Sequence, residues 1–331
     1  MVNCVLHIGF GKTGSSALQA YCSRYPDLRS AGGHRYLVID DGGQVLDGET
    51  LRARLAGSSR PYLASSPRLW ERADLETVGG RLAAAAPAGS LLILSQEGWD
   101  RRGRDCLEAD GLRRLGLRAR VVAYVRPQIE WFNSAWWQWW TWVDELDTPA
   151  DLLQRWLGGW RPGFMRWSTM LDPWDANPHV DELAVRLYCG NTIPDFLSLV
   201  GAPAPASGDD LPVNLSLAPL HIRILKFVPH LRGQHTPQYN WVLQKVLPSA
   251  EPAPWALTPD DMQAIVDGCR ADNQALLERL APEDAERMRR DPRWWSIEPY
   301  LDRRPATADE LQATPQDLGA AIEAMLTALK S

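Results

Sequence analysis

The chain has 331 residues, a net charge of −6 and 45% hydrophobic residues, enough for a substantial core. That charge argues against a nucleic-acid surface as the main role, and no run reaches the ~18 apolar residues of a membrane span. Five scattered cysteines (Cys4, Cys22, Cys106, Cys189, Cys269) form no C-x-x-C pair, which speaks against a zinc site or disulfide framework.

The N-terminus has no basic stretch followed by an apolar one, so a cytoplasmic protein is expected. A strand over residues 4–9 enters the turn Gly9-Phe10-Gly11-Lys12-Thr13-Gly14-Ser15-Ser16, and a helix follows from Ser15 to about Tyr25. A polar, glycine-rich region runs to about residue 60 and holds a short strand at Tyr36–Ile39. Leu75, Val78, Leu82 and Ala86 share one face of a helix over 71–86. Leu91–Ser95 and Arg120–Val125 are short apolar runs with helix-like sequence between them. A long helix is expected from Pro127 to Val143 and another over 149–158. Leu183–Tyr188 reads as a strand and Ile193–Val200 as a helix.

Residues 203–212 have the composition of a linker, and helices are expected at 216–231, 258–280 and 307–329. Short apolar runs alternating with helices predict a buried parallel sheet. The expected fold is thus α/β, a P-loop-like three-layer sandwich with a central parallel sheet and a helical C-terminal extension. It forms a single domain over 1–331: residues 1–202 hold the nucleotide-binding core and a Trp-rich region, and 213–331 the helical part.

The first turn has the makings of an anion site. Unpaired N–H groups at a helix N-terminus and the helix dipole favour negative charge, and Lys12 adds a full positive one. The turn departs from the Walker A loop, which needs a glycine five residues before Gly11 where this chain has Leu6. Arg126 repeats the logic at the end of a second strand.

His7 through Gln19 resembles the 5′-phosphosulfate loop of sulfotransferases that use 3′-phosphoadenosine-5′-phosphosulfate (PAPS). The likeness is greatest to a bacterial branch that acts on glycans and other small hydroxylated acceptors. Val121–Gln128 with Ser134 is similar to that family's 3′-phosphate motif, an arginine at a strand end and a serine eight residues later. Leu171–Trp174, Val185–Tyr188 and Asp195–Gly201 are similar to the branch in order and spacing.

The resemblance implies that Gly11, Lys12, Thr13, Gly14, Ser15 and Ser16 hold the 5′-phosphosulfate, and that Arg126 and Ser134 hold the 3′-phosphate. It implies PAPS as co-substrate, 3′,5′-adenosine bisphosphate as product, and no metal. Sulfuryl transfer is positioning plus charge stabilisation, with Lys12 neutralising charge on the leaving oxygen.

The acceptor hydroxyl needs a base at another strand end, and Glu97 is the candidate. His7 reads as a core histidine and His34 as a weaker alternative base. Tryptophan is the compositional anomaly, with 16 against 8 Tyr and 5 Phe. Trp131, Trp136, Trp137, Trp139, Trp140 and Trp142 cover most of a helix circumference, as in a helix buried between layers. Trp136, Trp137 and Trp140 also suit the wall of a pocket for a glycan or small-molecule acceptor, which Trp156, Trp160, Trp167 and Trp174 would extend. Arg289, Arg290, Trp294 and Trp295 read as a surface cluster. A P-loop-like nucleotide kinase and a non-catalytic nucleotide- or glycan-binding protein are the alternatives.

Overall fold

The computed structural model describes residues 2–30, 32–58, 60–86, 89–143, 148–157, 163–206, 217–232, 238–249 and 251–328. The chain divides into two compact units, one of residues 1–126, 165–214 and 271–290 and the other of 127–164, 215–270 and 291–331.

The first unit carries the strands β1 (Val2–His7), β2 (Arg35–Tyr36), β3 (Val38–Ile39), β4 (Val45–Leu46), β5 (Leu92–Ser95), β6 (Leu117–Val125) and β7 (Val180–Leu187). Five of them form a parallel sheet in the order β2-β5-β1-β6-β7, while β3 and β4 pair separately as an antiparallel hairpin. With flanking helices this is the α/β architecture that the alternating apolar runs predict. The central strands are buried on both faces: Leu6, Ile93, Leu94, Val121 and Val122 are all inaccessible to solvent. Val5, Ile93 and Val122 pack with Leu18 and Tyr21 of α1 (Ser15–Arg24) and with Phe196 and Leu197 of the helix Ile193–Leu199.

Register decides where the chemistry sits. Cys4 lies beside Leu92 of β5 and Ala119 of β6, and His7 beside Ser95 and Val122. The carboxyl ends of β5, β1 and β6 are therefore neighbours on one edge of the sheet, where open α/β folds place their ligands.

The strand expected at Tyr36–Ile39 is split into β2 and β3. Asp40 Oδ1 accepts from the N–H groups of Gly42 and Gln44, both at 2.9 Å, closing an Asx turn that sends β4 back along β3. The polar region also holds a second helix, α2 (Gly48–Ala56), with a capping box between Asp47 and Thr50.

In the second unit the helix after Pro127 stops at Gln138 rather than Val143. Trp142 Nε1 donates to the Trp137 carbonyl at 3.0 Å, occupying an acceptor that a continuing helix would use, and Trp140–Trp142 form a 3₁₀ turn. The C-terminal part is helical, with Pro219–Phe227, Gln238–Val246, Pro259–Leu276 and Pro315–Ala328 as its longer helices. Three of these open on proline, which fits a first helical turn where no N–H is needed. The linker expected at 203–212 falls outside the described residues from 207 onward, as does Trp160. No helix among the described residues is long and apolar enough to cross a membrane.

Candidate functional site

The turn after β1 is shaped by two left-handed residues, Lys12 at φ 67° and Gly14 at φ 85°. Glycine adopts that conformation freely, whereas lysine does so at a cost of roughly 1–2 kcal/mol. Gly14 is also confined from outside, because a Cβ there would lie 2.9 Å from Thr192 Oγ1 and 3.1 Å from Tyr188 Cε2. It is the N-cap of α1, no side chain caps that end, and no acidic residue lies in the first turn. The positive end of the helix dipole is left for a ligand.

Not every hydroxyl of the turn is available. Thr13 is fully buried and donates to the Phe10 carbonyl, so it holds the turn together. Ser15 is 1% exposed, and its Oγ, pressed against Gly9, has no hydrogen-bond partner among the described residues. Ser16 Oγ donates towards Glu97 Oε1 at 3.4 Å and Tyr62 Oη at 3.2 Å.

Arg126 ends β6 and reaches the same turn, where its Nη1 donates to the Lys12 carbonyl at 3.0 Å. Its guanidinium lies 5.4 Å from the centre of the Tyr188 ring. Trp167 supports this corner by donating Nε1 to the Arg126 carbonyl at 2.9 Å and packing 4.9 Å from Phe10 of the turn. Asp272 in turn fixes Trp167, accepting from the N–H groups of Ser168 and Thr169 at 2.9 Å as a long-range N-cap of the helix Trp167–Asp175.

Glu97 begins the 3₁₀ turn that follows β5. Burial raises its carboxyl above the ordinary carboxylate range, while the Lys12 charge and the Ser16 hydrogen bond oppose that rise. Burial lowers the half-buried Lys12 ammonium to about 8, with Glu97 opposing and the Arg126 charge reinforcing the shift. Lys12, Arg126 and Glu97 thus converge from the ends of three adjacent strands, close enough to perturb one another electrostatically.

Tyr62 is a site residue that periodicity could not reveal. Its segment is pinned through Leu63, whose N–H donates to Ser23 Oγ at 3.1 Å and whose carbonyl accepts from Tyr36 Oη at 2.7 Å. The Tyr-Leu-Ala-Ser-Ser run around it, placed among loop residues, was the signal available in sequence. Burial, helped by the charge of Glu97, raises the Tyr62 phenol above its ordinary value.

His7 is a core histidine, as expected, with Nδ1 2.8 Å from Ser95 Oγ. Burial lowers it to about 3, which favours the neutral imidazole. Its Nε2 has no hydrogen-bond partner among the described residues.

Ser134 and the expected tryptophans up to Trp156 lie in the second unit. Ser134 is half-buried on the helix Gln128–Gln138. Trp136, Trp137 and Trp140 are each 4% exposed, and Trp137 Nε1 donates to the Pro254 carbonyl at 2.6 Å. Trp140, Trp131 and Trp156 surround Phe164 edge-on at 5.4–6.3 Å. Trp167 and Trp174 belong to the first unit and are buried there to 1% or less.

The Ser15 hydroxyl and the uncapped helix end suit an anionic oxygen, and Lys12 and Arg126 supply the balancing charge. The donor set therefore fits a phosphate or sulfate group. Among the described residues, no group of three His, Cys, Asp or Glu side chains is placed to hold a metal ion. Compared with known proteins, the chain matches no family model, no curated protein and no solved structure.

Proposed function

We propose that the protein is a PAPS-dependent sulfotransferase acting on a hydroxyl of a carbohydrate or another bulky small molecule. The convergence of Lys12, Arg126 and Glu97 at three adjacent strand ends carries this reading, because it joins an anion cradle to a carboxyl poised as a base. The co-substrate would supply a sulfuryl group that leaves its 5′-phosphate as a bond forms to the acceptor oxygen. Ser15, Ser16 and the N–H groups of α1 would bind the 5′ end, and Arg126 the 3′-phosphate. Lys12 neutralises charge on the departing oxygen, and Glu97 takes the acceptor proton, the raised affinity of its carboxyl for protons favouring that role. A nucleotide kinase fits less well, since Leu6 stands inside β1 where a Walker loop needs its first glycine.

A thermal-shift titration with 3′,5′-adenosine bisphosphate, against ATP with magnesium, tests the reading. The bisphosphate should raise the midpoint of the wild type and fail to raise that of Lys12→Ala or Arg126→Ala. A shift with ATP alone would overturn the proposal in favour of a kinase. Glu97→Gln should keep the bisphosphate shift and lower sulfuryl transfer by roughly 10²–10⁴-fold.

A further inference from the structure

Beside Glu97 the first unit holds a cavity of about 350 Å³, within the ~300–1,000 Å³ range of small-molecule sites. The β3–β4 hairpin, the end of α2 and the segment before Pro67 enclose it, and Tyr62 and Glu97 stand at its boundary with the Ser16 hydroxyl. Its charged lining is Asp40, Asp41 and Glu97 against Arg54 and Arg60. By count the acids outnumber the arginines by three to two, but the groups differ in what they are free to do.

Asp40 Oδ1 closes the Asx turn of the hairpin, and Asp41 Oδ1 accepts from Ser66 Oγ at 2.6 Å. Both aspartates are thereby tied into the wall. Arg54 and Arg60 form no ion pair with a carboxylate among the described residues, although both line the cavity. Arg60 is an exposed residue, and its charge acts on both Tyr62 and Glu97 as the smallest of several influences. An arginine without a carboxylate presents a planar fork of donors that suits a carboxylate, phosphate or sulfate.

We infer that this cavity is the acceptor site and that it selects a hydroxylated acceptor carrying an anionic group, which Arg54 and Arg60 hold while the hydroxyl faces Glu97. A uronate carboxylate and a sulfate ester share the required chemistry. The inference rests on the sulfotransferase reading for the reaction performed, whereas the anion preference of the cavity stands on its own lining. It also moves the acceptor from the tryptophans of residues 131–142 to the wall formed by residues 38–67.

Ligand-observed NMR titrations without nucleotide test it, using methyl β-D-glucuronide, glucose 6-sulfate and uncharged methyl β-D-glucoside. At least one of the two anionic sugars should bind about tenfold or more tightly than the glucoside, as a charge-assisted arginine contact implies. Which of the two does so identifies the anion. The double variant Arg54→Gln/Arg60→Gln should erase the preference, while Arg52→Gln, also on α2 but lining a different cavity, should retain it. Equal binding of charged and uncharged sugars, or a preference that survives the double variant, would overturn the inference. If that happens while the bisphosphate still shifts the midpoint, only the acceptor assignment fails. Arginine-dependent binding of an anionic sugar without any bisphosphate shift would support the cavity and reject the sulfuryl-transfer chemistry.

Discussion

Lys12 makes the sharpest demand on the proposed site. Burial lowers its ammonium to about 8 from an ordinary 10.5, with the Arg126 charge reinforcing the shift and Glu97 opposing it. About one tenth of the side chain would be uncharged at pH 7 and about nine tenths at pH 9. A bound phosphate oxygen interacts with the charged form, so affinity for 3′,5′-adenosine bisphosphate should fall about tenfold between those pH values. An ordinary lysine would lose almost nothing over the same range. The assay is isothermal titration calorimetry at pH 7, 8 and 9 and fixed ionic strength, on the wild type and Lys12→Met.

Methionine keeps the unbranched stem and the left-handed backbone preference of the position close to those of lysine, so the variant isolates the charge. It should bind weakly and without pH dependence. The same variant should also be the more stable protein in the absence of ligand. A folded-state value below the unfolded one means that the unfolded chain holds the proton more tightly. The penalty is fully present below about pH 8 and fades as pH rises towards 10.5. At pH 7, Lys12→Met should therefore gain about 1–3 kcal/mol in urea denaturation while losing its ligand. Flat wild-type affinity up to pH 9, or the same decline in the methionine variant, would refute the assignment of Lys12 to the anion site.

Two further outcomes follow from the supports around the site. Asp272→Ala removes the cap that orients Trp167, so it should destabilise the first unit by about 1–3 kcal/mol. It should also weaken bisphosphate binding, because Arg126 loses its anchor; stability loss with unchanged affinity would disconnect Trp167 from the site. Asp100, 5% exposed, is raised to about 7 by burial, against the opposing charge of Arg101. A raised carboxyl contributes stability that is complete below about pH 4 and lost as pH climbs through 7. Asp100→Asn should accordingly be about 1–3 kcal/mol more stable than wild type at pH 8 and indistinguishable at pH 4 by denaturant midpoint. An equal difference at both pH values would exclude the titration as its origin.

Local signals and long-range consequences separate clearly along this chain. The apolar runs at Val5–Ile8, Leu91–Leu94 and Val121–Val125 identify buried strands because burial on both faces leaves no room for alternation. The Lys12 turn and Glu97 were legible for the same reason, each following such a run. Sheet order is not encoded in any one segment, so nothing local says that β5 and β6 flank β1. That adjacency alone turns Glu97 and Arg126 into neighbours of Lys12. Tyr62 is not legible in the sequence because it reaches Ser16 through an irregular segment held at Leu63 by Tyr36 and Ser23, partners 27 and 40 positions away in the chain. The apolar pattern continues past Gln138 and so predicts a longer helix, which the indole of Trp142 stops instead.

The tryptophan excess has a physical explanation in the bonds these side chains make. Trp99 donates its indole N–H to the Ser66 carbonyl, Trp137 to Pro254, Trp142 to Trp137, Trp167 to Arg126 and Trp174 to Trp99. The Ser66, Pro254, Trp137 and Arg126 carbonyls lie in loops, at a strand end or in a terminal turn, where a backbone carbonyl lacks a ladder partner and needs another donor once buried, whereas the Trp99 carbonyl takes the indole as a second donor beside the Arg102 N–H. Tyrosine could fill similar volume, but its hydroxyl sits at the far tip of the ring. The indole N–H projects from the side and can reach a carbonyl while the rest of the ring packs. Trp70, Trp99 and Trp174 show this combination, with ring centres 5.4–6.3 Å apart and two of the three indoles bonded to carbonyls. Trp167 applies it at the proposed active site, where its bond holds the backbone of Arg126 and its ring supports Phe10. The residue type that suggested a wall for the acceptor is used there to fix the backbone that carries the charges.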